Sequence, residues 1–173
     1  MRKSNSWLAL LGFGAAVAGA AWYGAKHSPR DAKTKHWYHR LNKPDFNPPD
    51  AVFPVVWTTL YALIAISGWR VWREEDSPER SLALRLWATQ LATNVKWTKL
   101  FFGEHLPKWA LADVLSLESI ILSYIHTARK VDRTAAACFV PYAAWVAFAA
   151  LLNEEIVRRN PDAETMLPRA ENA

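Results

Sequence analysis

Cysteine is nearly absent from this 173-residue chain. Cys138 stands alone, which excludes an internal disulfide and leaves no cysteine-based metal site. Strand-like alternation, internal repeats and low-complexity tracts are also missing, which points away from β and solenoid architectures. The formal charge is +5, yet no basic helical stripe or RNA-binding motif accompanies it. Lysine and arginine gather instead between apolar stretches, where lipid headgroups are their natural partners, so no nucleic-acid partner is expected. The most telling absence is local. No Asp, Glu, Lys or Arg occurs in 7–25, 51–69 or 134–153.

A bilayer crossing takes roughly 20 apolar residues, and each of these stretches is long enough. The first resembles a cleaved signal peptide in having Arg2 and Lys3 before an apolar run, but it ends in Trp22 and Tyr23, an interfacial aromatic pair, and reads as a retained helix. Two further helices, at about 81–102 and 109–128, are apolar but carry charges. Their connector GEHLPK is short, with Gly103 to end one helix and Pro107 to delay the next, and predicts an antiparallel hairpin. Ser77 and Pro78 supply an N-cap and first helical position, and KVDRT a polar turn before the last helix. The expected fold is therefore all-α, a five-helix transmembrane bundle in one domain spanning 1–161. Its helices fall at about 7–25, 51–72, 81–102, 109–128 and 134–158, followed by a disordered tail, 162–173.

Ten tryptophans are what the chain has in abundance. Those near helix ends, Trp7, Trp22, Trp69, Trp72, Trp87 and Trp109, read as interface anchors. Between the first two helices runs a lid, 36–50, in which Pro44, Pro48 and Pro49 favour an extended course that displays Trp37, Tyr38 and Phe46. Beyond it, Trp57, Tyr61, Ile64 and Gly68 recur at helical spacing, two large rings beside a ring-sized gap. Gln90, Asn94, Trp97 and Phe101 form a second stripe, and Cys138, Tyr142, Trp145 and Ala149 a third. Aromatic walls of this kind suit a flat ligand. The Asn94 amide, set among rings in an apolar bundle, needs a hydrogen-bond partner, supplied either by another helix or by a ligand carboxylate, carbonyl or pyrrole nitrogen. Periodicity alone assigns Trp57 and Trp145 to core packing.

Five motifs occur in order: WYxxLxKPxFxPP from Trp37 to Pro49, VWTxLY from Val56 to Tyr61, QLxxNxxW from Gln90 to Trp97, LFFG from Leu100 to Gly103, and VPYxxWxxFAxxLN from Val140 to Asn153. On these the chain resembles the translocator protein family, also called the tryptophan-rich sensory or TspO/MBR family, over roughly 7–161. The resemblance implies a multi-pass protein of the lipid bilayer, a homodimer, with an internal site for a tetrapyrrole such as protoporphyrin IX or haem. It requires no cofactor. Animal relatives also bind cholesterol and benzodiazepine- or isoquinoline-type ligands. By the family match Tyr38, Trp57, Asn94, Trp97, Trp145 and Ala149 line the pocket, which moves Trp57 and Trp145 from packing to binding. Trp37, Tyr61, Phe101 and Tyr142 join them from the lid and the stripes. The function implied is that of a sensor, regulator or transporter of porphyrin-type ligands. A light- and oxygen-dependent porphyrin-degrading activity using Trp57 and Trp145 stands second, and a structural bundle without ligand third.

The sequence departs from the family pattern at Lys99, where relatives carry proline, and at Lys96, where an apolar residue is usual. Folding the hairpin about Leu106 would set Lys99 level with Asp113 and Lys96 near Glu118, giving interhelical charge pairs. A subunit contact, or a lipid-facing side altered toward solubility, would account for the same lysines. Asn153 is followed by Glu154 and Glu155 where the animal sterol motif has its tyrosine, which favours a bacterial-type member of the cell envelope. Asp113, Glu118 and His126 do not share one helical face and make a poor acid-base set. His36 and His39 are usual as solvated loop residues, with haem ligation the lesser reading. Lysines and arginines of the lid and the Arg158–Arg159 pair place the carboxyl terminus in the cytoplasm.

Overall fold

A computed structural model describes residues 6–28 and 32–165. It contains six α-helices in chain order: α1 (Ser6–Lys26), α2 (Ala32–Arg40), α3 (Val52–Arg73), α4 (Pro78–Thr98), α5 (Pro107–Ala128) and α6 (Arg133–Arg159). A π turn, Lys99–Gly103, extends α4, and a short 3-10 turn, Ala163–Thr165, comes after α6. No strand is present among the described residues. The all-α expectation holds, but the count of five spans does not. Four helices, α1, α3, α5 and α6, are long and apolar enough to cross a membrane. The exception is α4, because Glu79, Arg80, Arg85 and Lys96 interrupt its apolar positions.

The sixth helix lies in the lid. Lys33, Lys35, Trp37 and Tyr38 sit on α2, before the prolines begin, so Pro44, Pro48 and Pro49 shape only the segment between α2 and α3. Trp37 and Tyr38 are thus helical rather than extended. Past α2 the chain turns twice, with the Asn47 amide donating to Pro44 O at 2.9 Å and that of Val52 to Pro49 O at 2.9 Å.

Caps fall where turn chemistry places them. Ser77 Oγ accepts from the Arg80 amide at 3.1 Å with Pro78 opening α4, and Asp132 Oδ1 accepts from the Ala135 amide at 2.9 Å to open α6. Within the expected disordered tail, Ala163 is buried and 163–165 form a 3-10 turn; residues 166–173 lie outside the described set.

The main core joins α1, α3, α4, α5 and α6. At Gly68 the expected ring-sized gap is already filled. A Cβ there would come within 2.6 Å of Trp87 Nε1 and 2.7 Å of Phe13 Cδ1, so the absent side chain admits Trp87 rather than a ligand. Trp87 donates its indole N–H to Ile64 O at 2.8 Å and is a core residue, not an interface anchor. Trp7, Trp22 and Trp109 are more than half exposed, as anchors should be.

Candidate functional site

α4 and α6 face each other across the bundle and meet through long side chains. Asn94 sits at the centre. Its Oδ1 accepts from the Tyr61 hydroxyl of α3 at 3.4 Å, and its Nδ2 donates to the Tyr142 hydroxyl of α6 at 3.1 Å. Trp57 lies 5.3 Å from Tyr61 in a tilted pair and 6.2 Å from Tyr142 edge-on. Four predicted residues from three helices therefore converge, and the interhelical reading of Asn94 is satisfied. Trp57 and Tyr61 are only part-buried, whereas Asn94 and Tyr142 are buried.

A second group forms toward the lid. Trp97 stacks on Phe101 at 5.3 Å and 22°, and Phe101 meets Trp37 edge-on at 5.7 Å. Tyr38 packs 5.5 Å from Phe102 and donates to Asn47 Oδ1 at 3.4 Å. Burial pushes the Tyr38 hydroxyl above its ordinary pKa, the nearby Asp50 carboxylate adds to this, and the Asn47 bond opposes it. Lys43 lies over the same ring, 4.1 Å from its centroid, and donates to Tyr38 O at 3.2 Å.

The lid is clasped to the far end of the chain. The Asn42 amide donates to Asn160 Oδ1 at 2.8 Å while Asn160 Nδ2 donates back to Asn42 O at 3.0 Å. Trp37 Nε1 donates to Ala163 O at 3.0 Å, and the Trp37 ring contacts His105 at 4.5 Å. His105 holds a left-handed φ of 56°, which turns the chain out of the π segment.

Trp145 belongs to a third cluster, 5.8 Å from Phe53 and 5.5 Å from Phe148, which in turn meets lid Phe46 at 6.2 Å. Ala149 is half-buried one turn further along α6. His36 and His39 are both exposed, and no group of three or more His, Cys, Asp or Glu that could hold a metal occurs among the described residues. Asn153, read in the sequence only as a sterol landmark, is buried here. It accepts from Trp97 Nε1 at 3.3 Å and donates to Pro107 O at 2.9 Å, so it orients the Trp97 indole. Its place at the end of VPYxxWxxFAxxLN, three turns from Tyr142 on the same helix, was the available signal.

The charged residues pair with a register other than the expected one. Lys96, not Lys99, bonds Asp113, at 2.7 Å, and Lys99 turns to Glu104 at 3.1 Å. The cause is the π turn. With the Glu104 amide donating to Lys99 O at 2.8 Å and the Leu106 amide to Leu100 O at 2.9 Å, residues are taken up in a wide coil and the hairpin folds before Leu106. Lys99 also donates its amide N–H to α4 carbonyls, a bond proline could not make. Glu118 is left with Oε2 buried and without a partner among the described residues.

A groove of about 630 Å³ lies elsewhere, between α1 and α4, lined by Ala16, Ala20, Ala88, Ala92, Lys96 and Lys99 among others. It does not include the Asn94 set.

The TspO/MBR family model matches residues 12–159, which takes in all of these elements from within α1 to the last residue of α6. The chain belongs to the TspO/MBR family. The tryptophan-rich sensory protein of Cereibacter sphaeroides is 38% identical over 154 residues, 89% of this chain and 92% of that one. The translocator protein of Bos taurus is 32% identical over 156 residues, 89% and 91% of the two chains. The tryptophan-rich protein TspO of Chlorobaculum tepidum is 35% identical over 143 residues, 80% and 87%. Together with four apolar helices, membership makes this a multi-pass membrane protein of TspO type.

Proposed function

We propose that the protein binds a tetrapyrrole, protoporphyrin IX or haem, within the bundle and acts as a sensor, regulator or transporter of such ligands. The supporting observation is the convergence of Trp57, Tyr61 and Tyr142 on the Asn94 amide, with Trp97 and the aromatic lid at one end. Indole and phenol faces stack on a flat macrocycle, and the amide offers it one donor and one acceptor. The Tyr61 bond to Asn94 is long, at 3.4 Å, and two of the rings are part-exposed, which makes that side of the set the easier to open to a ligand. In this reading the chain functions in the envelope bilayer as a homodimer, with its lid and carboxyl terminus on the cytoplasmic side.

Titration of protoporphyrin IX against tryptophan fluorescence tests it. Saturable quenching in the micromolar range, about −8 kcal/mol, is expected, with a loss of at least tenfold in the Trp57→Ala, Trp145→Ala double variant. Quenching that never saturates, and is unaffected by the two substitutions, would leave only the structural bundle.

A further inference from the structure

Gln90 is fully buried, and neither Nε2 nor Oε1 has a hydrogen-bond partner among the described residues. A primary amide hidden without partners costs stability and returns none to the fold. Its direction is fixed by the helix. At about 100° per residue, Gln90 projects between the azimuths of Asn94 and Trp97, the two residues that reach across to α6. Its level along α4 lies between Asn94 and Trp87, whose indole is bonded to Ile64 O. Gln90 therefore projects to the same α6-facing side of α4 as Asn94, one turn deeper from the lid.

Resting on the tetrapyrrole reading above, we infer that Gln90 is the specificity-determining floor of the site and reads a carboxylic acid on the rim of the ligand. The amide presents a donor and an acceptor side by side. A protonated carboxyl matches both, its O–H donating to Oε1 while its carbonyl accepts from Nε2. An ionised carboxylate would satisfy only the donor, and an apolar interior favours the neutral acid. An ester keeps the carbonyl but loses the O–H, leaving Oε1 buried and unpaired.

The full-length protein, purified in lipid nanodiscs, is titrated with protoporphyrin IX and with its dimethyl ester. The quantity read is the ratio of dissociation constants, ester over diacid. Attraction of acids by lid lysines is common to wild type and variant and cancels when their ratios are compared. Wild type should prefer the diacid, and Gln90→Met, which keeps the side-chain length without its polar atoms, should reduce the ratio about tenfold. Gln90→Asn, an amide drawn back toward α4, should reduce it as well and serves if the methionine variant does not fold. A folded Gln90→Met or Gln90→Asn protein with an unchanged ratio overturns the inference, and a higher Tm in the methionine variant would then mark Gln90 as a core amide only. Absence of saturable binding by wild type overturns the tetrapyrrole reading itself, and the inference falls with it.

Discussion

Away from the lid, the bundle closes on itself with short bonds. Ser67 Oγ and Tyr124 OH lie 2.7 Å apart, Ser67 donates to Ala135 O at 2.7 Å, and Arg70 meets Asp132 at 2.9 Å. In the Asn94 set the bonds that join helices through Tyr61 and Trp97 are 3.4 and 3.3 Å long, rings are part-exposed, and the neighbouring Gln90 has no partner among the described residues. The same α3, α4 and α6 helices run through both regions. The two regions thus differ in how short their interhelical bonds are and in how far their rings are exposed.

Substitution of matched tryptophans should test this contrast most severely. Trp87→Ala, which empties the space beneath Gly68, should destabilise by about 3–5 kcal/mol, whereas Trp57→Ala should cost under about 2 kcal/mol. Thermal unfolding in detergent measures both, and equal losses would erase the distinction between the regions. Replacing Trp57 and Trp145 together by Phe should preserve porphyrin affinity to within about threefold, since stacking tolerates another ring. If illumination in air converts bound porphyrin to a new pigment, the same double variant should suppress that conversion; conversion that persists would separate the chemistry from these indoles.

Smaller effects are expected at single contacts. Asn160→Ala removes both halves of the lid clasp and should speed amide exchange through 37–47 by about tenfold, with little change in α5. Unchanged exchange would mean that Trp37 alone seats the lid. Lys96 and Asp113 should show a coupling above about 0.5 kcal/mol in a double-mutant cycle, while Lys99 and Asp113 should be additive. Coupling of Lys99 instead would restore the register expected from the sequence.

That register shows where sequence reasoning reached its limit. Apolar runs, caps and ordered motifs made the helices legible, because their signals are local. Ser77 and the Asn94 stripe fall where composition and spacing put them, and the polar turn KVDRT supplies the Asp132 cap. A single π turn is not local in its consequences. It changes which lysine faces Asp113 while leaving hydropathy untouched. Gly68 misled for a related reason, since a missing side chain looks the same whether a ligand or Trp87 fills the space. The helix in the lid is hard to read from sequence because it is only nine residues long and the prolines at 44, 48 and 49 follow close behind it. Asn153 acts through Trp97 and a carbonyl of α5, a relation no single-helix pattern contains.

The wide turn at Lys99–Gly103 also bears on how lineages of this protein can differ in length. A π turn holds about one residue more than an α turn over nearly the same axial distance. One residue can therefore be lost or gained there with the change absorbed on the spot, leaving Asn94 and Trp97 on one flank and Pro107 on the other in place. Were a residue lost there, the matching alignment would carry a one-residue gap beside Lys99. A register slipped by one residue through α4 would instead turn Gln90, Asn94 and Trp97 by about 100° and carry them off the face that meets α6.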